Sequence, residues 1–189
     1  MPAKISIIAF AIFYALTAFP AGSNPQPNIP PGFELYEAKN GVGKFFRPKG
    51  WFIKEESKGT TNALFISREN IDVSQRFSVG LTVYQMRSFK RFKNVLPSVY
   101  AKIYVSTLIK KMEVIISGVV KNNATEMNIV RVKGDNNGIS TIVHHIAVGF
   151  DSEDTLYLIL FEAPEKEWKS QYDNARIMLN YFVPGRGPR

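Results

Sequence analysis

The chain has 189 residues, with 24 Lys plus Arg against 16 Asp plus Glu and no cysteine. This length suits one domain with a single hydrophobic core, even after removal of a leader. The absence of cysteine excludes disulfides and thiolate metal sites, so packing must supply the stability. The formal net charge of +8 favours anionic partners such as acidic protein faces, anionic lipid headgroups or polyanions.

The first 23 residues have the pattern of a secretory signal peptide. Lys4 precedes a mostly apolar run at 5–19, which is followed by the breaker Pro20 and by small residues that suit cleavage after Ser23. A retained anchor is the alternative, although the run is shorter than the roughly 20 residues that span a bilayer. We therefore predict an exported protein, periplasmic or secreted, for which nucleic acid is a disfavoured partner.

A proline-rich segment separates this leader from the folded domain. Residues 24–32, NPQPNIPPG, contain four prolines and no charge, which predicts an extended tether. The domain is expected at 33–182, with 183–189 as a C-terminal tail. FELYEAK and VGKFFRP flank Asn40 and Gly41, a pair that favours a two-residue hairpin turn. WFIKEE, NALFISRE and FSVGLTVYQM then have the composition of further strands of an antiparallel sheet.

A helix and three more strands are predicted in the second half of the domain. Pro97 suits the first turn of a helix at 98–112. Val99, Ile103 and the Thr107–Leu108 pair are expected on one side of this helix. Residues 113–123 suit either a helix end or a strand and stay unassigned. MNIVRVKG, ISTIVHHIAVGF and LYLILFEA predict three consecutive antiparallel strands.

The final helix has the clearest pattern in the chain. Pro164 opens the segment PEKEWKSQYDNARIMLNYF, since proline is well tolerated in a first helical turn. Apolar residues then recur at helical spacing: Trp168, Tyr172, Ala175, Leu179 and Phe182. This stripe predicts an amphipathic helix packed on the sheet, with Trp168 mostly buried.

Four segments occur in a characteristic order: FELYEAKNGVGKFFRPKGW, TNALFISRENI, FSVGLTVY and LYLILFEAPEKEW. Together, over residues 33–182, they resemble the PsbP family, the extrinsic proteins of photosystem II and their bacterial relatives. The resemblance implies an α+β fold, an α/β/α sandwich in which a central antiparallel sheet has helices on both faces. A small yeast Ran-binding protein shares this fold. The resemblance implies neither an enzyme nor a cofactor.

Two features differ from the photosynthetic members of that family. Their residues ahead of the first strand contribute to docking and ion retention, whereas the neutral tether stands here. The leader also lacks the Ser- and Arg-rich composition of a plastid transit peptide. The chain therefore resembles a bacterial exported relative, with an extrinsic photosystem II subunit of the thylakoid lumen as the alternative for a photosynthetic source.

The segment MRSFKRFKN interleaves cations with aromatic rings. We predict a partner-binding surface formed by Arg87, Phe89, Lys90, Arg91, Phe92 and Lys93. Cations hold an anionic surface while exposed rings add apolar contact. The expected partner is an acidic protein or a membrane-associated complex, with an anionic lipid surface as a further candidate, and the protein is expected to be a monomer. The alternative is a solvated loop whose two Phe lie under the sheet.

No catalytic, cofactor-binding or metal-binding residue is predicted. His144 and His145 are adjacent in a strand and should face opposite sides, which favours structural roles over a shared metal. A small-ligand carrier or enzyme with a cleft near them is the alternative function. GxSxG, HExxH and phosphate-binding glycine motifs are absent from the sequence. Asp151, Glu153 and Asp154 suit a charged hairpin tip, because the loop is too short for an EF-hand.

Overall fold

The computed structural model describes residues 28–74, 76–121 and 125–185. The predicted signal peptide and the first part of the tether lie outside the described residues. The strands are β1 (Phe33–Glu37), β2 (Gly43–Pro48), β3 (Phe52–Lys58), β4 (Thr61–Ser67), β5 (Gly80–Arg87), β6 (Glu113–Lys121), β7 (Glu126–Asn136), β8 (Ile139–Phe150), β9 (Thr155–Pro164) and β10 (Val183–Pro184). The helices are α1 (Ile71–Ser74), α2 (Phe89–Lys93), α3 (Pro97–Lys111) and α4 (Trp168–Asn180).

A seven-stranded antiparallel sheet forms the centre of the domain. Its strand order is β3-β4-β5-β9-β8-β7-β6. The strands β7, β8 and β9 pair consecutively, as the sequence predicts, and β9 also pairs with β5, where Val83 lies opposite Ile159. The segment left unassigned at 113–123 contains β6, which forms one edge of the sheet and pairs with β7.

The first hairpin belongs to a separate three-stranded sheet of order β1-β2-β10. The predicted two-residue turn at Asn40 and Gly41 is wrong, because residues 38–42 connect the strands and only the glycine of that pair has a positive φ, 78°. The side chain of Asn40 instead donates to the backbone oxygen of Ala63 at 2.9 Å, which ties the loop to the large sheet. β10 includes two residues that the sequence assigned to the tail.

The large sheet is covered on both faces, which confirms the predicted sandwich. On β9, Tyr157, Ile159 and Phe161 belong to the core under α4 and the small sheet. Leu156 and Leu158 belong to a second core under α2 and α3. This alternation follows from the two-residue period of a strand. The burial predicted for Trp168 is also confirmed, since 9% of it is exposed.

The predicted grouping of Val99, Ile103, Thr107 and Leu108 on one side of α3 is wrong in part. Leu108 packs with Ala101 and Val105 on the sheet, whereas Val99 and Ile103 are 42% and 51% exposed. Gly149 on β8 allows α3 to lie close to the sheet, because a Cβ there would overlap backbone atoms at the start of α3. Helix and sheet therefore approach closely at a point where both carry small residues. None of the helices in the described residues combines the length and apolar character needed to cross a membrane.

Candidate docking surface

The short helix α2 is fixed by a turn from elsewhere in the chain. Ser88 and Asn94 flank the helix with left-handed φ values of 52° and 51°, and Ser88 makes no side-chain cap. The turn between β8 and β9 replaces that cap. The backbone N–H of Phe89 donates to the backbone oxygen of Asp154 at 3.0 Å, and the N–H of Lys90 donates to its carboxylate at 2.6 Å. The first turn of α2 is therefore held in place.

The two Phe side chains of α2 point in different directions. Phe89 is 3% exposed and packs against Tyr100 of α3, with ring centroids 4.9 Å apart. Phe92 is 63% exposed. The helix is thus anchored by one ring and presents the other to solvent.

Three cations lie on the same short helix as the exposed ring. Lys90, Arg91 and Lys93 are all exposed. No carboxylate in residues 28–74, 76–121 or 125–185 forms an ion pair with any of them. We refer to Lys90, Arg91, Phe92 and Lys93 as the α2 surface.

Two residues of the predicted surface lie elsewhere. Phe89 is in the core, as described above. Arg87 is partly buried and directs its guanidinium toward Gly41, where a Cβ would lie 3.1 Å from Nη2. Gln85, two positions earlier on the same strand, bonds to Tyr157 in the core under α4, which places this side of β5 opposite to the α2 side. The structure therefore brings together four of the six predicted residues.

The outward side of α3 follows the α2 surface along the chain, and the sequence did not predict its exposure. Leu96, Val99 and Ile103 are exposed apolar residues that come after Phe92. The periodicity of Val99 and Ile103 was visible, but it did not indicate that this side faces solvent. The presence of a second apolar side, Ala101 and Val105, was the signal that could have found them.

The acidic turn between β8 and β9 caps both helices next to this surface. Asp151 accepts hydrogen bonds from the backbone N–H of Ser98 at 2.9 Å and from its hydroxyl at 2.6 Å. Asp154 caps α2 in the same manner. Carboxylates are favourable at helix N-termini because the unpaired N–H groups carry partial positive charge. In the described stretches, no group of three or more His, Cys, Asp or Glu residues is placed to hold a metal ion.

The two histidines are buried on opposite faces of the sheet. His145 lies under α3, where its Nδ1 is 2.9 Å from the hydroxyl of Tyr104. His144 lies under α4, with its ring centroid 5.6 Å from that of Tyr172. Burial lowers the pKa of His144 to about 3 and that of His145 to about 4, so both are neutral near pH 7. The sheet separates the two imidazoles and prevents a shared site.

Arg131, opposite His144 on β7, is held by aromatic rings. Its guanidinium carbon lies 4.8 Å from the ring centroid of Trp168 and 4.2 Å from that of Tyr172. Burial lowers the pKa of Arg131. Such cation–π contacts stabilise a partly desolvated charge. These contacts therefore join α4 to the sheet. They also place Arg131 and Tyr172 beside His144.

Comparisons with solved structures identify the fold. No family model and no curated protein matches the sequence. Cyanobacterial PsbP (CyanoP) from Synechocystis sp. PCC 6803 aligns with a TM-score of 0.50 and 12% identity, over 88% of this chain and 99% of that one. The Saccharomyces cerevisiae Ran-binding protein Mog1p aligns with a TM-score of 0.51 and 14% identity, over 80% of this chain and 95% of that one.

A third structure, from Bacteroides thetaiotaomicron, aligns with a TM-score of 0.50 and 10% identity. The alignment covers 81% of this chain but only 48% of the longer Bacteroides chain. Identities this low establish the fold alone. The chain therefore has the α+β fold of PsbP and Mog1, which confirms the resemblance seen in the sequence.

Proposed function

We propose that the protein is an exported, non-catalytic binding protein that docks through the α2 surface on an anionic partner, which is an acidic protein, a membrane-associated complex or an anionic lipid surface. The observation that carries the proposal is the difference in burial between Phe89 and Phe92. The first ring fixes the helix in the core, and the second stands in solvent on a helix that also carries three exposed cations. An exposed aromatic ring with unpaired cations is a feature of interaction sites.

The rigidity of α2 supports the proposal. A helix of five residues is far too short to be stable alone, since isolated helices below about 12 residues are marginal in water. Here Asp154 supplies two hydrogen bonds and Tyr100 supplies a ring contact. The cations are consequently presented from a defined position, which reduces the ordering cost of binding.

The test compares two variants that remove the same charge. One carries Lys90→Gln, Arg91→Gln and Lys93→Gln. The matched control carries Lys49→Gln, Lys166→Gln and Lys169→Gln, three exposed lysines outside the α2 surface. Both should fold, because exposed substitutions usually change stability by less than about 0.5 kcal/mol each.

The readout is recovery of partners from an envelope fraction at low and at physiological salt. The α2 variant should recover less partner than the wild type, while the control should not. Recovery by the wild type should fall as salt increases, because the screening length shrinks to about 8 Å at physiological ionic strength. Equal recovery by the two variants would reject the α2 surface as the docking site.

Export is supported by the leader pattern around Lys4 and the apolar run at 5–19. N-terminal sequencing of protein made from the full gene tests it. A mature N-terminus within a few residues of Asn24 is expected. Recovery of the chain with Met1 in a cytoplasmic fraction would contradict export, and recovery with Met1 in the membrane would favour the retained anchor.

A further inference from the structure

We propose that the anionic partner is a lipid bilayer surface, on which the outer side of α3 lies together with the α2 surface. This inference rests on the proposed function and names the class of its partner. The mode is peripheral: α3 would lie in the plane of the interface with its outward side chains among the headgroups and the upper acyl chains.

The apolar character of α3 on two opposite sides is the first observation. Ala101 and Val105 pack on the sheet, as a surface helix of a globular protein requires. The other side of such a helix is normally polar. On α3 it instead carries Val99 and Ile103, each about half exposed. Neighbouring exposed apolar side chains of this kind mark an interaction site.

The extent of this side is the second observation. Val99 and Ile103 are about 6 Å apart along the helix axis. Leu96 and Phe92 extend the exposed apolar side chains beyond the N-terminus of α3 and onto α2. The strip therefore runs from α2 along the first half of α3. A bilayer interface accepts such a strip without a matching groove, whereas a protein partner must supply one.

The charge around the strip is the third observation. Residues 88–121 contain seven Lys or Arg and a single acidic residue, Glu113. Lys102 and Lys121 both form an ion pair with Glu126, each at 3.2 Å. The remaining five cations have no ion pair within the described part of the chain: Lys90, Arg91, Lys93, Lys110 and Lys111.

Cations placed along an apolar strip match an anionic membrane. Each Lys or Arg close to an anionic leaflet contributes about 1 kcal/mol to binding, and long side chains reach headgroups while their stems stay on apolar surface. The nearby carboxylates of Asp151 and Asp154 weaken this field, but both accept hydrogen bonds from the first turns of α3 and α2. Their charge is thus partly offset by the helix N-termini.

The test is flotation of the full mature chain with lipid vesicles. Vesicles of phosphatidylcholine that contain phosphatidylglycerol should bind the protein, and pure phosphatidylcholine vesicles should bind it at least tenfold less, because five cations contribute. Binding should weaken as salt increases. Equal binding to the two kinds of vesicle, or binding to neither, would overturn the lipid proposal.

A pair of variants separates the apolar contribution from the charge. The double variant Val99→Gln and Ile103→Gln replaces two outer apolar side chains of α3 with glutamine, which is a good helix former. It should weaken vesicle binding by roughly tenfold. Val73→Gln with Val183→Gln is the matched control, since both residues are exposed elsewhere on the surface. An equal effect of the two pairs would overturn the placement of α3 on the membrane.

Failure of this inference is distinguishable from failure of the proposed function. If anionic vesicles do not bind while envelope capture still depends on Lys90, Arg91 and Lys93, the lipid proposal is overturned and a protein partner remains. If vesicles bind equally well to the triple α2 variant and its lysine control, the α2 surface is rejected as part of the lipid-binding site, while envelope capture still tests it as a docking site for a protein.

Discussion

The carboxylate of Asp154 accepts a hydrogen bond from the backbone N–H of Lys90 at 2.6 Å, across 64 positions of sequence. Asp154 itself adopts a left-handed conformation, with φ 47°, at the end of the β8–β9 turn. Because Ser88 does not cap α2, this hydrogen bond and the one from Phe89 to the backbone oxygen of Asp154 hold its first turn. The position of the α2 surface thus depends on a turn that belongs to the central sheet.

Asp154→Ala should destabilise the protein by about 1 kcal/mol, the usual cost of losing a helix cap. Asp154→Asn should be nearly neutral, because its amide oxygen can accept the same hydrogen bond and asparagine tolerates the left-handed conformation. Urea unfolding of both variants is the measurement. If both variants lose the same free energy of unfolding, the charge of Asp154 supplies the stability and its hydrogen bond to α2 does not.

The sequence predicted the helix α4 and its buried face because only one side of the segment was apolar, so Trp168 had to face the sheet. The predicted start at Pro164 is wrong, since that residue ends β9 and the helix begins at Trp168. For α3 the same pattern was less informative. Two sides were apolar, and the close approach of the helix to the sheet depends on Gly149, a residue of a distant strand. Periodicity identifies a helix but cannot orient it when both sides are apolar.

The candidate site was also predicted only in part. The segment from Arg87 to Lys93 stood out by its composition. Which side chains face solvent depended on Tyr100 and Asp154, which contact α2 from other elements. The left-handed Ser88 turns the chain between the strand and α2, so Arg87 and Lys90 end on different sides of the sheet. Composition alone does not predict that turn.

Trp168→Ala should destabilise the protein by about 3–5 kcal/mol, the range found for buried large-to-small aromatic substitutions. The indole stacks on Tyr172 with centroids 4.9 Å apart and also lies under the guanidinium of Arg131. Removing it leaves a cavity and exposes a charge that the ring helped to shield. Denaturant titration measures the loss.

Trp51→Ala is the matched comparison for that experiment. Trp51 is only partly buried, at the edge of the same core, so its loss should cost about 1 kcal/mol. Similar losses for the two tryptophans would contradict the packing of α4 described above.

Stability should fall as the pH drops below about 6.5, the usual pKa of histidine in an unfolded chain. Burial lowers the folded pKa of His144 to about 3 and that of His145 to about 4. Between these values the unfolded state binds more protons, so the full stability is present above pH 6.5 and is lost toward the folded pKa values. At pH 5 each histidine should lower the free energy of unfolding by about 2 kcal/mol.

The variant His144→Phe separates the effect of His144 on the pH dependence of stability from the effect of the carboxylates. The Nδ1 of His144 is buried without a hydrogen-bond partner, so an aromatic ring of similar size loses little at that atom. The decrease in unfolding free energy between pH 7 and pH 5 should be about 2 kcal/mol smaller in the variant. Parallel decreases in wild type and variant would show that His144 is not held neutral in the folded protein.

Gly149→Ala should separate α3 from the sheet at its N-terminus. A Cβ on Gly149 would overlap backbone atoms of Pro97 and Ser98, which cannot move aside as a flexible side chain can. Overpacking of this kind costs about 1–3 kcal/mol or more. The shift should also weaken the hydrogen bonds between Ser98 and Asp151 and displace the outer side of α3.

Gly118→Ala on β6 is the control, because no heavy atom lies within 4 Å of a Cβ there. This change should be neutral or stabilise the protein by up to about 1 kcal/mol, since alanine reduces the freedom of the unfolded chain. Urea unfolding should therefore separate two glycine-to-alanine changes by at least about 1 kcal/mol. If Gly149→Ala is as stable as Gly118→Ala, α3 does not approach β8 as closely as its contacts indicate, and its outer side cannot be assigned from this packing.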